Sequence, residues 1–160
     1  MPVITDEARA WAEREFPDFE YPVTRIDIAR FAQATGETNP VHYDPEAARH
    51  KGHDDVVAPT MFPYAIRMHS STLNADLTLD GSPASDVPPL PTTRAMAGET
   101  SIDFGAPVVA GDTVIVRKRL ADMFEKEGRS GPLVFVTLEF TLTNQRGETV
   151  SRELFTRIYR

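Results

Sequence analysis

Cysteine is absent from the 160 residues, so the sequence excludes disulfide bonds, thiol catalysis and cysteine-based metal sites. An apolar run of about 18 residues is also absent, as is a basic-then-apolar start, so neither a membrane span nor a secretion signal is predicted. Positive charge is scarce: the net charge of −7 disfavours nucleic acid as a partner. We expect a cytoplasmic protein that binds neither membranes nor nucleic acid.

The composition that is present suits one globular domain. Hydrophobic residues make up 41% of the chain, which is enough for a core at this length. We therefore predict a single domain over residues 1–160. Residues 71–97, rich in serine, aspartate and proline, predict a long loop that we expect near a substrate entrance or a subunit interface. A disordered tether is the alternative for this segment.

The first half of the chain carries helical patterns with recognisable ends. Apolar residues at helical spacing follow a threonine or aspartate N-cap, and Gly36 and Gly52 stand where two helices would end. A short strand is predicted at 21–23. The predicted helices are Thr5–Glu15, Thr24–Thr35, a short one from Asp44 to Gly52, and a central helix Met61–Ser70.

The second half alternates apolar and polar residues, as strands do. Turns are predicted at 111–112, 128–131 and 144–147, where glycine recurs. Antiparallel hairpins that follow helices predict an α+β class. The predicted strands are Thr100–Phe104, Val114–Val116, Val134–Leu142 and Leu154–Ile158.

Residues 36–42 are the most informative segment for chemistry. An acid, Glu37, and a histidine, His42, stand five positions apart. The segment is predicted to contain no helix, because Gly36 ends one helix and Pro40 favours an extended backbone at Asn39. A histidine and a carboxylate that share one water can take a proton and deliver one. The alternative is that Glu37 is a structural turn residue or cap.

Two blocks of the sequence resemble the MaoC-like hot-dog hydratase and dehydratase family, in the branch related to the dehydratase domain of type I fatty acid synthases. Together they cover most of the chain from Tyr21 onward. The first block comprises Phe31–Gly36, Asn39–Pro45, Ala47–Ala48, Gly52 and Val56–Pro59; the second comprises Gly98–Glu99, Phe104, Pro107–Val108, Gly111–Asp112 and Asn144–Glu148.

The resemblance implies a hot-dog fold, in which an antiparallel sheet wraps around a central helix. It implies a lyase that adds water to a trans-2-enoyl thioester of coenzyme A or acyl carrier protein, or removes it, usually with an (R)-3-hydroxyacyl product. No cofactor and no metal are expected. A lone copy leaves a sheet edge open, so a homodimer or a heterodimer with a second hot-dog subunit is also expected.

The family motif reads Asp, any, Asn, Pro, any, His, and falls on residues 37–42. The resemblance therefore makes Glu37 and His42 the catalytic pair, with glutamate in place of aspartate. Asn39 is a substrate contact or, equally, a turn residue. In active relatives a His-Gly pair precedes the central helix, and the glycine N–H holds the thioester oxygen. Pro59 and Thr60 stand there in this chain, so the resemblance makes the N–H of Thr60 or Met61 the donor; the alternative for Thr60 is a helix N-cap.

Three other functions stay open. The first is a catalytically silent, substrate-binding subunit of a heterodimer. The departures at Glu37 and Pro59-Thr60 favour it, and the retained His42 and Asn39 oppose it. A hot-dog thioesterase is disfavoured because the central helix carries no acid between Met61 and Ser70. A pure acyl-binding module is the third. A coenzyme A phosphate would need basic residues nearby. The candidates, chosen only because they are basic, are Arg67, Arg94, Lys118 and Arg119.

Overall fold

The computed structural model describes residues 3–72, 76–78, 81–92 and 94–160, without the side chain of Thr72. Within these residues the chain forms one antiparallel sheet with the strand order β1-β3-β4-β5-β2. The strands are β1 (Phe19–Pro22), β2 (Ala95–Phe104), β3 (Thr113–Gly128), β4 (Gly131–Asn144) and β5 (Thr149–Tyr159). The helices are α1 (Asp6–Ala12), α2 (Arg25–Ala34), α3 (Pro45–His50) and α4 (Phe62–Thr72), with 3-10 turns at Pro40–His42 and Ala84–Asp86.

Helix α4 packs its apolar side against the sheet. Phe62 and Ile66, one turn apart, are 4% and 0% exposed and share a buried cluster with residues of β3 and β4 such as Val116 and Phe140. Burying such side chains stabilises the fold by roughly 1.5–3 kcal/mol each. The predicted α+β layout, with α4 as the helix on the sheet, is confirmed.

A second, smaller core lies near the start of β4 and the end of β5. Ile4 and Ala8, from the start of the chain and α1, pack there against Val134, Val136 and Tyr159. Thr5 caps α1 as predicted, because its side chain accepts a hydrogen bond from the Ala8 N–H. The predicted helix is too long at its other end: α1 ends at Ala12, with Glu13 as its C-cap.

Strand β3 is much longer than the predicted Val114–Val116. Beyond Val116 its sequence is charged and mostly exposed, so alternation of apolar residues does not reveal it. Pairing with β4 extends it, for example at Lys118 with Phe140 and Glu125 with Val134. Tertiary pairing has therefore overridden a weak local pattern.

The predicted loop 71–97 is shorter than expected at both ends. Helix α4 continues to Thr72, and β2 begins at Ala95 because it pairs with β5. A 3-10 turn, Ala84–Asp86, forms between the prolines, with Pro83 as its N-cap. Residues 73–75, 79, 80 and 93 of this segment lie outside the described residues. Its place at a substrate entrance or an interface stays a prediction.

Candidate active site

The loop that holds the predicted catalytic pair spans residues 36–43 and is called the catalytic loop below. It begins at a fixed helix end. Gly36 has a φ of +74° and donates its N–H to the Gln33 carbonyl, while the Glu37 N–H donates to the Ala32 carbonyl at 2.8 Å. This pair of bonds is a Schellman motif, and glycine suits it because the left-handed backbone crowds a Cβ. The predicted helix end at Gly36 is confirmed, and the main chain of Glu37 is held in place by it.

Between Asn39 and Tyr43 the chain makes one 3-10 turn, so the prediction of a loop without helix is wrong there. Asn39 is extended, with φ −65° and ψ 124°, and its side-chain oxygen accepts from the Val41 N–H at 3.2 Å. Pro40 permits the turn because its fixed φ suits a first helical position, where an N–H is not needed. Asn39 thus caps the turn, and its contact with a substrate stays a prediction.

His42 is buried, with 8% of its surface exposed, whereas the other predicted site residues are exposed. Its Nδ1 lies 2.6 Å from the carbonyl oxygen of Val57. A carbonyl only accepts, so this bond places the proton on Nδ1, and the neutral ring then carries its lone pair on Nε2. No described residue bonds to Nε2. The imidazole is thereby oriented with its basic nitrogen open to a water or substrate.

Glu37 combines a fixed main chain with a free side chain. The Tyr43 hydroxyl donates to the Glu37 carbonyl at 2.6 Å and so ties the two ends of the loop together. The Glu37 carboxylate is exposed, and within the described part of the chain it forms no hydrogen bond or ion pair, with His42 or any other group. The structure places both predicted catalytic residues on one short loop without joining their side chains.

A short bridge carries this loop to the start of α4. The Val57 N–H donates to the Val41 carbonyl at 2.9 Å, and Val57 also forms an antiparallel bridge to the segment that leads into β3. Val57 therefore binds the catalytic loop through both its N–H and its carbonyl. Since Thr60 follows only three residues later, His42 is brought close to the N-terminal end of α4.

Thr60 and Met61 form the turn before α4, which begins at Phe62. The Phe62 N–H donates to the Pro59 carbonyl at 2.9 Å, whereas the Thr60 and Met61 N–H groups have no acceptor among the described residues. Free N–H groups at the positive end of a helix suit an oxyanion. The arrangement is compatible with the predicted role of Thr60 and Met61, which stays a prediction.

A cleft of about 220 Å³ opens beside this turn. Its lining includes residues 57–60, Pro63 on the first turn of α4, and residues 104–108, which begin with the last residue of β2. Thr60 lines the cleft, but Glu37 and His42 do not. Val57 is the link between the two, because it lines the cleft and its carbonyl holds His42.

Two residues that sequence analysis did not single out shape this site. Tyr43 binds the carbonyl of Glu37, and Val57 orients His42. Tyr43 could have been suspected, since a tyrosine beside a polar loop needs a partner for its hydroxyl. The Val57 carbonyl carries no signal in the sequence, because any residue supplies one.

The four cations considered for a coenzyme A phosphate occupy different surroundings. Three of them bind carboxylates: Arg67 binds Glu153, Lys118 binds Asp86 and Arg119 binds Glu139. The fourth, Arg94, lines a cleft of about 640 Å³ with Arg129 and Arg160, at the tip of the β3–β4 hairpin. This cleft lies at the opposite end of β3 from the catalytic loop.

No cluster of three or more histidine, aspartate or glutamate side chains that could hold a metal is found within the described ranges. The groups gathered at the loop are one imidazole, one carboxylate and one amide, together with open N–H groups at α4. That set suits proton transfer next to a developing oxyanion. None of the described helices is long and apolar enough to cross a membrane.

Comparison with known proteins identifies the family. Residues 10–153 match the FAS1-like, dehydratase domain region, and the chain belongs to this family. A UPF0336 protein of Clavibacter michiganensis is 34% identical over 143 residues, which cover 88% of this chain and 86% of the relative. A probable enoyl-CoA hydratase alpha subunit of Thermomonospora curvata is 32% identical over 142 residues, which cover 82% of this chain and 43% of the relative.

The fold is shared with solved hydratases. The structure of R-hydratase PhaJ1 from Pseudomonas aeruginosa superposes with a TM-score of 0.67 at 19% identity, covering 93% of this chain and 84% of that protein. At this identity the likeness establishes the fold. The predicted hot-dog arrangement is confirmed, and so is the predicted resemblance to MaoC-like hydratases and dehydratases.

Proposed function

We propose that this protein is a hydro-lyase that adds water to a trans-2-enoyl thioester of coenzyme A or acyl carrier protein, or removes it in reverse, with an (R)-3-hydroxyacyl thioester as the product. The family match supports the reaction class. The names of the Thermomonospora curvata relative and of the solved R-hydratase support hydration and its handedness.

One observation carries the proposal most directly: His42 is held by Val57, three residues before Thr60. With Nδ1–H bound to the Val57 carbonyl, Nε2 accepts a proton from water while the water oxygen bonds to the β carbon. The open N–H groups of Thr60 and Met61 receive the thioester oxygen as it gains negative charge. Proton transfer to His42 and binding of the oxyanion must occur close together, and the Val57 bridge supports this arrangement because it links His42 to the segment before α4.

Glu37 acts on the same water. Its carboxylate has no partner among the described residues, so it can turn to accept a hydrogen bond from the water and orient it for attack. The proton that Nε2 takes from the water is then delivered to the α carbon, which completes the addition and returns His42 to its neutral form. The Schellman motif and the Tyr43 hydrogen bond fix the main chain from which it turns. Such fixed placement matters because a shift of about 1 Å in a reacting group can cost ~100-fold in rate.

A second candidate is a catalytically silent subunit that binds substrate beside an active partner. The absence of a Glu37–His42 hydrogen bond among the described contacts favours it, as does the proline at position 59. The name of the Thermomonospora curvata relative, an alpha subunit, points the same way. The Nε2 of His42 is oriented by the Val57 hydrogen bond and has no partner among the described residues, which favours the catalytic function over the silent one.

The surface supports a partner of the same fold. Strand β2 lies at the edge of the sheet and is exposed over most of its length. Phe104, the last residue of β2, is 43% exposed, and Met61, in the proposed oxyanion site, is 46% exposed. An open edge with apolar neighbours is a place where a second subunit binds. We propose a homodimer, or a heterodimer with a second hot-dog subunit, that covers this edge.

The test is whether the purified protein hydrates crotonyl-coenzyme A and longer enoyl-coenzyme A substrates. The loss of the enoyl-thioester absorbance measures the reaction. His42→Ala and Glu37→Gln are compared with His50→Ala and Glu46→Gln, which change the same residue types on α3. We expect the first pair to lower kcat by about 100-fold or more, and the second pair to leave it unchanged.

The controls matter because all four variants alter polar groups within one short region. Equal losses in both pairs would show a structural effect and overturn the assignment of Glu37 and His42. A wild-type chain that is inactive on every substrate, yet binds a second subunit that restores hydration, would establish the silent-subunit function instead.

A further inference from the structure

A polar cluster is buried towards the far end of α4, away from the catalytic loop. Arg67 and Glu153 are 5% and 2% exposed, and Arg67 Nη2 lies 3.0 Å from Glu153 Oε1. Ser71, one turn further along α4, is 6% exposed. The polar residues that line a cavity of about 70 Å³ between α4 and the inner face of the sheet are Arg67, Ser71, Asp86 and Arg157.

The groups around this cavity have more donors than partners. Arg67 Nε, Arg157 Nη1 and Ser71 Oγ are shielded from solvent and lack a hydrogen-bond partner among the described residues. Arginine nitrogens only donate, so the missing partner of both guanidinium groups is an acceptor. Buried polar groups are nearly always paired in native proteins, so three such donors around one cavity indicate a ligand or ordered water.

The charges around the cavity favour an anion over a neutral acceptor. Arg67, Arg157 and Asp86 line it, and Lys118 binds Asp86 while Glu153 binds Arg67. These three cations are matched by only two carboxylates. Burial lowers the pKa of Arg67. Glu153, Tyr64 and Asp86 oppose this shift, and the charge of Arg157 adds to it. An added negative charge would offset the repulsion between the two guanidinium groups.

The Arg67 guanidinium is held rigidly, which suits recognition. It lies over the ring of Phe140, 4.2 Å from the centroid, and 4.8 Å from the centroid of Phe155. Stacking on aromatic rings fixes the plane of a guanidinium, and the plane fixes the direction of its N–H groups. The Nε donor therefore has a set position on the cavity.

The cavity lies in the direction that an acyl chain would take from the proposed thioester site. Pro63 lines the cleft beside Thr60, and Arg67 lines the cavity. These two residues are four apart on α4, hence on one face of the helix and about 6 Å apart along its axis. A short acyl chain that leaves the thioester at Thr60 and follows this face ends at Arg67.

We propose that this cavity binds a carboxylate at the distal end of the acyl chain, so that the preferred substrates are enoyl thioesters of dicarboxylic acids. Arg67 Nε and Arg157 Nη1 donate to the carboxylate oxygens, and Ser71 Oγ donates as well. An ionised carboxylate only accepts, which matches the donors. The direction of the chain rests on the proposed function; the chemistry of the cavity does not.

The test measures binding by calorimetry with saturated thioesters, which cannot be hydrated. Glutaryl-, adipyl- and pimelyl-coenzyme A are compared with pentanoyl-, hexanoyl- and heptanoyl-coenzyme A, their equal-length partners without the second carboxylate. We expect at least one dicarboxylate to bind about 10-fold or more tightly than its partner, as hydrogen bonds to charged groups predict.

The variant for this test is Arg67→Met combined with Glu153→Gln, which removes both charges and so avoids an unpaired buried ion. Arg119→Met, on the outer face of the sheet, is the matched control. The preference for dicarboxylates should disappear in the double variant and persist in the control. A wild type without that preference would show that the cavity holds water only, and a preference that survives the double variant would overturn the assignment to Arg67.

Hydration of crotonyl-coenzyme A in parallel separates this inference from the proposed function. Hydration without any preference for dicarboxylates overturns the inference alone. A preference that depends on Arg67, in a chain that hydrates nothing, supports the inference and counts against the catalytic function. If none of the six thioesters binds, the inference is overturned for this chain.

Discussion

The catalytic loop and the Arg67 cavity lie towards opposite ends of α4 and hold their polar groups in opposite ways. In the loop the main chain is held by the Schellman motif at Gly36 and by the Tyr43 hydroxyl, while the Glu37 carboxylate has no partner in the described part of the chain. At the cavity the side chain of Arg67 is buried and paired with Glu153, and its Nε lacks a hydrogen-bond partner among the described residues.

The difference follows from access to water. An exposed carboxylate keeps its hydration, so Glu37 can stay unpaired without destabilising the fold. A buried charge loses that hydration, so Arg67 requires Glu153 and still leaves donors unsatisfied. Changes in the loop should therefore affect activity more than stability, and changes at the Arg67 pair the reverse.

The largest expected effect on stability is that of Arg67→Met. It leaves the Glu153 carboxylate buried without a counter-charge, and we expect the free energy of unfolding to fall by about 3–5 kcal/mol. Urea unfolding measures this. Arg25→Met, which breaks an ion pair to Asp55 on a surface where Arg25 is 58% exposed, should cost at most about 1 kcal/mol. Similar losses in the two variants would break the contrast between interior and surface.

Gly36→Ala should have the next largest effect. The left-handed backbone at φ +74° disfavours a Cβ by about 1–2 kcal/mol, although the added carbon would meet no atom within 4 Å. We expect that loss in urea unfolding and a lower kcat, because Glu37 directly follows. Gly147→Ala, at φ +80° with equal space, supplies the same strain in the β4–β5 turn. Its kcat should be unchanged, and an equal loss of activity would count against a special role for the loop.

Tyr43→Phe should have a smaller effect that bears on activity more than on fold. It removes the hydroxyl that donates to the Glu37 carbonyl at 2.6 Å, a bond worth roughly 0.5–1.5 kcal/mol. If that bond positions Glu37, kcat should fall several-fold while KM stays close to that of the wild type. Steady-state kinetics distinguishes this from a loss of substrate binding, in which KM alone would rise.

The smallest expected effect is on the pH dependence of stability. It distinguishes two buried glutamates, Glu139 and Glu153, on opposite faces of the sheet. Hydrogen bonds from Arg152, aided by the charge of Arg119, hold the pKa of Glu139 below its ordinary value of 4.5. Burial raises the pKa of Glu153 above that value, although Arg67 opposes the shift. Ionised Glu139 therefore adds stability above its unfolded pKa, which is lost as pH falls through the folded pKa. For Glu153 the added stability is present at low pH and is lost as pH rises through its folded pKa.

Urea unfolding of Glu139→Gln and Glu153→Gln between about pH 3 and pH 7 tests this. The deficit of Glu139→Gln against the wild type should grow as pH rises, since only the wild type gains from ionisation. For Glu153→Gln the trend should be opposite. As pH rises, the stability of this variant relative to the wild type should increase, because only the wild type loses stability when Glu153 ionises. Parallel slopes would show that the two faces of the sheet do not differ as described.

Local patterns predicted much of the loop site. The caps at Thr24 and Asp44 and the turns at Gly36 and Gly52 depend on bonds within a few residues, and the structure forms all of them. The 3-10 turn at Pro40–His42 was missed because one short turn has almost no sequence signature. The extent of β3 was missed for a different reason, since β4 supplies the pairing that its charged sequence does not suggest.

The sequence by itself determined the family, the α+β class and the loop on which Glu37 and His42 stand, because these follow from short-range spacing and recognisable residue blocks. Only the tertiary structure decided that the Val57 carbonyl orients His42 beside the start of α4, and that Arg67 is buried against Glu153. Both contacts join residues far apart in the chain, Arg67 and Glu153 across the helix–sheet interface. Such pairs form only when burial of the apolar core brings distant segments together, and no local pattern encodes which partner each will meet.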